Sequence, residues 1–359
     1  MKLLKKIILL FLSLITAFFA LVIYFNTIRL VDVVQHERQI RALSNQEITP
    51  LDESAFMNFT ESDELRLNEV QFIASHNSYK KNITRLGQLF VGLGENFDEA
   101  RALRYHQPSL TTQLNRGVRS FELDMVYRYN RFELIHVPLV DQSSNAPLLH
   151  RAFDEMLLWS QNNPNHFPVI ILIEAKEDFA FLDPFIKPYN DDILLEFNAL
   201  IIDSFEDKLL TPNDLLIDNR PLKTLLDEDG WPLVNDLLGK FIIVMHPSAV
   251  NDSYLALDPS LKTLNAFVGN HTDEGFHTSF IVSNNPFETE KINGYIDQNL
   301  IVRTRLDSNL TLHDDALEAV TLSGAQIVST DFFPSHSLNN PFVAYLENTF
   351  TIIKNPYFN

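Results

Sequence analysis

The stretch Pro168-Val169-Ile170-Ile171-Leu172-Ile173-Glu174 is an almost uninterrupted apolar, β-branched run that ends in a carboxylate. Such a run predicts a strand that is buried on both faces, as in a parallel sheet. Similar short runs recur from Leu65 onward and alternate with amphipathic stretches. That alternation is typical of βα units, so the chain is predicted to be an α/β protein.

The number of predicted strands defines the expected architecture. Eight strands close a TIM-type (β/α)8 barrel, and we predict a single barrel catalytic domain over residues 64–359. The predicted strands are Glu69–Ala74, Val118–Asp124, Phe132–His136, Val169–Glu174, Phe241–His246, Ser279–Ser283, Leu300–Arg305 and Gln326–Asp331. Helical patterns lie between them at Leu148–Gln161, Asp191–Ser204, Trp231–Leu238 and His313–Leu322.

Several of these strands end in a side chain with chemistry. In a barrel of this type, the active site forms at the carboxyl ends of the strands, so these side chains are expected to converge on one face. The strand-end residues are His76, Asp124, His136, Glu174, His246, Arg303 or Arg305, and Asp331.

The composition narrows the classes of function. Of the 359 residues, 45% are hydrophobic and 21% are charged, and the formal net charge is −19. Nucleic acids are held by clusters of Lys and Arg, so an acidic chain is not expected to bind them. The chain has no cysteine, which excludes a disulfide framework, a cysteine zinc site and a thiol nucleophile.

The N-terminus has three lysines followed by the apolar run Ile7–Tyr24, which is about long enough to span a bilayer as a helix. We favour an uncleaved signal anchor, with the catalytic domain on the extracytoplasmic side, periplasmic or extracellular. The alternative is a cleaved signal peptide and a secreted protein, but Ala17-Phe18-Phe19-Ala20 fits a cleavage site poorly. The predicted segments are a cytoplasmic n-region (1–6), a transmembrane anchor (7–25), a polar, irregular linker (26–63) that reads as a tether or an entry helix, and the barrel (64–359).

A pair of carboxylates indicates a metal site. Glu122 and Asp124 are two residues apart on one predicted strand, so both side chains point to the same side. Two carboxylates in one place are costly without a positive charge between them, and oxygen ligands suit Ca²⁺ or Mg²⁺ better than zinc. Asn77 and Glu174 could complete the same cage. The alternative is an ordinary pair of solvated or Arg-paired carboxylates.

Two histidines and several cations could perform phosphodiester chemistry. His76 and His136 follow predicted strands, and cleavage by an internal hydroxyl needs one group to remove a proton and another to donate one. Lys176, Arg303 and Arg305 could hold a phosphate or substrate hydroxyls. A further strand-end side chain, that of Asp331, could hold a neighbouring loop or a substrate hydroxyl.

These residues lie in segments that resemble the phosphatidylinositol-specific phospholipase C superfamily over residues 65–335. The asparagine after the first histidine and the carboxylate pair resemble its calcium-dependent branch, of the bacterial and fungal type. Two features depart from the better-known members: Lys80 follows Tyr79, and Val137-Pro138 follows His136. The segments that carry the resemblance are Ile73–Tyr79, Arg116–Asp124, His136, Pro168–Lys176, Gly230–Pro232, Val302–Arg305 and Gly324–Asp331.

The resemblance implies a role for each site residue. His76 would work with the reacting hydroxyl and stabilise the pentavalent phosphate, while His136 would protonate the leaving alkoxide. Lys176 and Arg303 would face the substrate. The implied reaction is attack of the inositol 2-hydroxyl, which yields a cyclic inositol phosphate and a diacylglycerol. One Ca²⁺ ion, rather than Mg²⁺, would be held by Asn77, Glu122, Asp124 and Glu174.

Two other functions stay open at this level. A glycerophosphodiester phosphodiesterase shares the barrel and the carboxylates, but typically opens with His-Arg-Gly where this chain has His76-Asn77-Ser78. A catalytically silent, membrane-tethered barrel that binds lipid or glycan would not need both histidines and all four ligand candidates. The expected partner is a membrane lipid or another phosphodiester, and no protein partner can be inferred.

Overall fold

The apolar runs form a closed parallel barrel in the computed structural model, which describes residues 2–46, 50–218, 220–308, 310–312, 315–332, 346–347 and 350–358. The first barrel strand pairs in parallel with the last, with Phe72 beside Ile327, and also with the second, with Ala74 beside Ser120. This closure confirms the predicted (β/α)8 fold. The barrel strands are β1 (Val70–Ser75), β2 (Ser120–Arg128), β3 (Val169–Ala175), β4 (Phe241–Met245), β5 (Phe267–Asn270), β6 (Phe280–Val282), β7 (Ile301–Arg305) and β8 (Ile327–Thr330).

One predicted barrel strand is wrong and one was missed. The segment predicted as Phe132–His136 forms the strand Arg131–Leu134, which returns antiparallel along β2 through a two-residue turn at Tyr129 and Asn130. Both turn residues have positive φ, as a tight hairpin turn requires. The missed strand, β5, is only four residues long and includes Gly269, where a Cβ would lie 2.6 Å from the Met245 carbonyl oxygen.

The helices surround the barrel. The helix predicted over Trp231–Leu238 is reduced to a 3-10 helix at Val234–Leu237. The last predicted helix begins at Ala316, and His313 lies outside the described residues. The helices are α1 (Lys2–Ser44), α2 (Arg85–Gly94), α3 (Phe97–Ala102), α4 (Leu110–Leu114), α5 (Leu149–Asn162), α6 (Asp191–Phe205), α7 (Leu222–Asp229), α8 (Ala249–Leu257), α9 (Thr289–Ile296) and α10 (Ala316–Ser323).

Short strands complete the sheet at its margins. Ile352–Lys354 runs antiparallel to the N-terminal half of β1, and Ile186–Lys187 runs antiparallel to β2. Leu209–Leu210 pairs with β4 in parallel. A separate two-stranded ribbon is formed by Asp307–Ser308 and Thr311–Leu312, directly after β7.

The first helix corrects the expectation of an irregular linker from residue 26. α1 is continuous to Ser44, and the part beyond the apolar run is packed against the barrel. Arg29, Asp32 and His36 are each at most 3% exposed. Their spacing places them on one face of the helix. This face is polar and charged in sequence, yet it is the face that is buried against the barrel.

Buried partners on the barrel satisfy this charged face. Arg29 bonds to the Glu133 carboxylate at 3.1 Å and donates to the carbonyl oxygens of Leu134 and Gln142 at 2.8 and 2.9 Å. Asp32 accepts from Lys81 Nζ at 2.6 Å. His36 Nε2 lies 2.8 Å from Glu155 Oε2. Because buried charges are stable only when paired, α1 beyond Tyr24 is a fixed part of the catalytic domain.

The N-terminal half of α1 has a different character. Its most apolar 18-residue window has a mean hydropathy of 2.8, and none of that window is buried against the rest of the chain. By length and composition, α1 could cross a membrane. It is the one helix of which this holds within the part of the chain that the structure describes.

Removing the Arg29 side chain should therefore detach α1 from the barrel. For Arg29→Ala we expect a loss of about 3 kcal/mol in the free energy of unfolding, because Glu133 loses a partner and three carbonyl groups lose a donor. The measurement is urea unfolding in detergent, followed by the fluorescence of the buried Trp159 and Trp231. Arg38→Ala, on the exposed face of the same helix, is the control. Equal stability of both variants would contradict the docking.

Candidate active site

Strand register gathers three carboxylates at the carboxyl ends of β2 and β3. Asp124 pairs directly with Glu174, and Glu122 lies two residues earlier on the same side of β2. One oxygen from each side chain can be chosen so that all three lie within 4.8 Å of one another. Calcium binds oxygens at 2.3–2.6 Å, so two ligands of one ion are at most about 5 Å apart. The cluster therefore fits a single Ca²⁺ ion in size and in donor type.

Two cations balance the charge of this cluster. Lys176 Nζ lies 2.5 Å from Asp124 Oδ2 and 3.7 Å from Glu174 Oε2. On the other side, Arg303 donates to Glu122, to Asn284 and to the Ser329 hydroxyl. Lys176 and Arg303, which we expected to face the substrate, are thus bound to the carboxylates in this structure.

The carboxylates differ in protonation behaviour. Burial raises the pKa of Asp124 and of Glu174, and the charge of Lys176 only partly opposes this. Burial acts in the same direction on Glu122, but the charges of Arg303, His76, His246 and Arg305 together outweigh it and bring the pKa of Glu122 to about 2. Ionising Asp124 and Glu174 in this buried position is costly unless more positive charge is added. A bound cation would supply that charge.

Asn77 borders the cluster in a left-handed backbone conformation, with φ of 46°. Its side-chain amide has two orientations. With Nδ2 toward the Tyr105 hydroxyl, at 2.7 Å, Oδ1 is turned toward the oxygens of Asp124. With the amide reversed, Nδ2 donates to the two Asp124 oxygens at 3.1 and 3.2 Å. The first orientation leaves oxygen facing oxygen, which a cation between them would resolve.

His76 is held by a buried acid. Its Nδ1 lies 2.5 Å from Asp331 Oδ1, and Arg305 bonds to the other oxygen of Asp331 at 3.0 Å. The remaining ring nitrogen, Nε2, lies 3.7 Å from Glu122 Oε1 and so faces the carboxylate cluster. Asp331, considered from the sequence as a substrate or loop contact, is 2% exposed and has both oxygens occupied. Here Asp331 orients His76.

His136 has a matching arrangement. Its Nδ1 lies 2.9 Å from Asp141 Oδ2, and the same carboxylate forms a 3.0 Å ion pair with Lys80. Burial lowers the pKa of His136, while the bond to Asp141 opposes that shift. Mutual backbone hydrogen bonds between Val137 and Asp141, of 3.1 and 3.0 Å, close the intervening loop and bring the carboxylate back to the ring.

Asp141 and the role of Lys80 were missed from the sequence. Lys80 is fully buried, so the residue noted as a departure from the better-known members has a structural partner here. Asp141 follows the second histidine by five residues in a non-repetitive loop, and no periodic pattern marks it. The sequence offers one weak signal for these two residues: Lys80 lies close to His76, and Asp141 lies close to His136.

Both histidines lie close enough to the cluster for their charges to act on its carboxylates. The charge of His76 acts on Glu122 and Glu174, and the charge of His136 acts on Asp124. The barrel therefore brings together all of the residues predicted for the site. Their geometry provides two imidazoles, each fixed at Nδ1 by a carboxylate, together with an acidic cluster that could hold a divalent cation.

Titration of the His136 ring should report this arrangement. We expect a pKa below the ordinary value near 6.5 in the wild-type protein, because burial disfavours the charged ring. Asp141→Asn should lower this pKa further, since the carboxylate stabilises the protonated ring. The measurement is an NMR titration of the histidine signals in detergent, with the exposed Asp236→Asn as control. A pKa unchanged by Asp141→Asn would contradict the contact.

The fold and the site define a class: a (β/α)8 barrel enzyme with paired histidines and an acidic cation site at the carboxyl ends of its strands. The family model described as "Phosphoinositide phospholipase C, Ca2+-dependent" matches residues 65–129 and 127–356. The chain belongs to this family, whose members are phosphoric diester hydrolases. The predicted family is confirmed.

Solved structures support the fold. The chain is similar to the calcium-dependent phosphoinositol-specific phospholipase C from Pseudomonas sp., with a TM-score of 0.59 and 16% identity, over 84% of this chain and 99% of that one. It is also similar to a Ca²⁺-dependent phosphatidylinositol-specific phospholipase C from Streptomyces antibioticus, with a TM-score of 0.55 and 17% identity, over 75% and 95%. A search of curated proteins gives no significant match.

Proposed function

We propose that this protein is a membrane-anchored, calcium-dependent phospholipase C that cleaves phosphatidylinositol-like lipids by attack of the inositol 2-hydroxyl on the phosphate. One observation carries the proposal. Two histidines, each held at Nδ1 by a buried carboxylate, border three carboxylates that fit one Ca²⁺ ion. Cleavage by an internal hydroxyl needs one imidazole to take the proton of that hydroxyl and a second imidazole to protonate the leaving oxygen.

His76 is the proposed partner of the attacking hydroxyl. Its Nδ1 donates to Asp331, which leaves Nε2 as the nitrogen that faces the carboxylate cluster and accepts the hydroxyl proton. Asp331 stabilises the imidazolium that results. The charge of His76 and its hydrogen bond, followed by the charge of Arg305, lower the pKa of Asp331 against the effect of burial, and Arg305 also holds the carboxylate in place.

His136 is the proposed acid for the leaving alkoxide. Asp141 accepts from Nδ1, so Nε2 carries the proton that is donated. Because burial lowers the pKa of His136, its protonated form gives up that proton more readily than a solvated imidazolium would. Lys80 compensates the charge of Asp141 when His136 is neutral.

Asn77, Glu122, Asp124 and Glu174 would hold the Ca²⁺ ion. When bound, calcium supplies positive charge that lowers the pKa of the inositol hydroxyl and neutralises charge on the phosphate. Charge compensation within the cluster would then no longer depend on Lys176 and Arg303. Both side chains would be released to contact the substrate phosphate, as the sequence predicts.

An assay on phosphatidylinositol in vesicles tests the reaction. We expect a cyclic inositol phosphate and a diacylglycerol as products, no turnover with a calcium chelator, and a loss of about 10²–10⁴ in kcat for His76→Ala, the usual contribution of acid–base groups. His150→Ala, at an exposed position on α5, should retain the wild-type rate.

The other outcomes separate the alternatives. Cleavage of glycerophosphodiesters without a cyclic inositol product would identify a glycerophosphodiester phosphodiesterase instead. If turnover survives the chelator, only the proposed role of calcium is contradicted, and the proposed phosphodiester cleavage is not. If no phosphodiester is cleaved while lipid is still bound, the protein is a binding module.

Calcium binding can be measured without turnover. We expect Glu174→Gln to weaken Ca²⁺ binding by at least about tenfold, because it removes one of three charged ligands from the cluster. The measurement is isothermal titration calorimetry of the full-length protein in detergent. Glu318→Gln, on the exposed face of α10, is the matched control. Equal affinities of the two variants would place the ion elsewhere.

A further inference from the structure

One face of α1 continues from the membrane segment into the catalytic domain. Phe18, Leu21 and Phe25 lie three to four residues apart and lead, at the same helical spacing, to the buried Arg29 and Asp32. The first three residues are apolar and line a groove of about 600 Å³. This face of α1 thus changes from apolar to charged where the helix meets the barrel.

The groove runs between α1 and the catalytic face of the barrel. Its opposite walls are formed by Phe90 and Val91 of α2 and by the aromatic residues Phe179 and Phe181 of the loop after β3. Two polar groups of the candidate active site, His136 and Lys176, also line it. An apolar passage therefore connects the membrane helix with the residues proposed to act on phosphate.

The groove extends to the depth of the lipid. Phe18 precedes Phe25 by seven residues, about 10 Å along a helix, and lies within the apolar run that ends at Tyr24. The facing side chain of Phe181 is 83% exposed, and Leu93 at the end of α2 is 70% exposed. Exposed apolar side chains beside a membrane helix would meet the headgroup and acyl boundary rather than water.

A network centred on Arg128 fixes the walls relative to one another. Arg128 bonds to Asn26 of α1 at 2.7 Å, to Asp183 of the loop at 2.6 Å and to Glu133 of the hairpin at 3.4 Å. Glu133 is also the partner of Arg29. The spacing between α1 and the loop is therefore set by buried ion pairs.

We propose that this groove holds the acyl chains of the lipid substrate, and that the lipid enters it laterally from the leaflet in which α1 lies. α1 is then a wall of the substrate site as well as an anchor. An amphiphile with an anionic head and apolar tails matches a lining that is apolar along α1 and cationic at Lys176. The remaining carboxylates of the lining, Glu95, Glu99 and Asp178, are exposed or half-buried and stay hydrated. This inference rests on the proposed function.

A glycine in the groove offers a clean test. A Cβ at Gly94 would have no atom within 4 Å, so Gly94→Phe adds a ring to the lining of the groove from a position that is open at its first atom. Gly294 on α9 is equally open and does not line the groove, so Gly294→Phe is the matched control. Two substrates are compared with the full-length protein in phosphatidylcholine nanodiscs: embedded phosphatidylinositol, and a water-soluble inositol phosphate methyl ester without acyl chains.

We expect Gly94→Phe to reduce turnover of the embedded lipid by at least about tenfold and to leave turnover of the soluble ester within twofold, because only the lipid needs the groove. Gly294→Phe should change neither rate. Equal effects of Gly94→Phe on both substrates, or no effect on either, would overturn the proposal.

A binding measurement separates this proposal from the proposed function. Phosphatidylinositol with a photoreactive acyl chain is crosslinked in nanodiscs with a calcium chelator present, and the attached peptides are identified by mass spectrometry. Crosslinks should fall on residues 90–94 and 178–182 and be lost in Gly94→Phe. If crosslinks fall on these residues but the nanodisc assay shows no turnover, the acyl-chain groove is supported and the proposed reaction is refuted. Turnover with crosslinks elsewhere would refute the groove and leave the reaction.

Discussion

The geometry of the catalytic face depends on the pairing of buried carboxylates with buried cations. Glu122, Asp124 and Glu174 converge because β2 and β3 are held in one register, and three negative charges in that space would oppose folding if left alone. Lys176 and Arg303 balance them from two sides. Positive charge beside all three carboxylates therefore allows β2 and β3 to keep this register.

The same principle positions both histidines. His76 lies in a chain of alternating charge with Asp331 and Arg305, and His136 lies in a chain with Asp141 and Lys80. In each chain the charges of the cation and of the ring lower the pKa of the acid against the effect of burial, and the acid fixes the tautomer of the ring by accepting from Nδ1. The free Nε2 of each ring is then available for proton transfer at a position that buried partners define.

The barrel and the residues at its strand ends could be predicted from sequence, because both depend on local patterns: apolar, β-branched runs and the polar residue that follows each run. The partners could not. Asp141, Lys80 and the docked face of α1 have meaning only through contacts with segments far away in sequence. The strand Phe267–Asn270 was missed for a related reason, since four residues including a glycine carry too little local pattern.

In the proposed membrane-anchored enzyme, the docking of α1 also determines how the active site faces the membrane. A flexible tether would leave the barrel free to turn, and the catalytic face would meet the bilayer only part of the time. Here the helix is fixed by Arg29 and by the Arg128 network, which joins it to the hairpin and loop beside His136. The carboxyl ends of the strands are therefore held next to the point where α1 leaves its apolar segment. A lipid phosphate at the bilayer surface would reach Lys176 and His136 while its chains remain in an apolar environment.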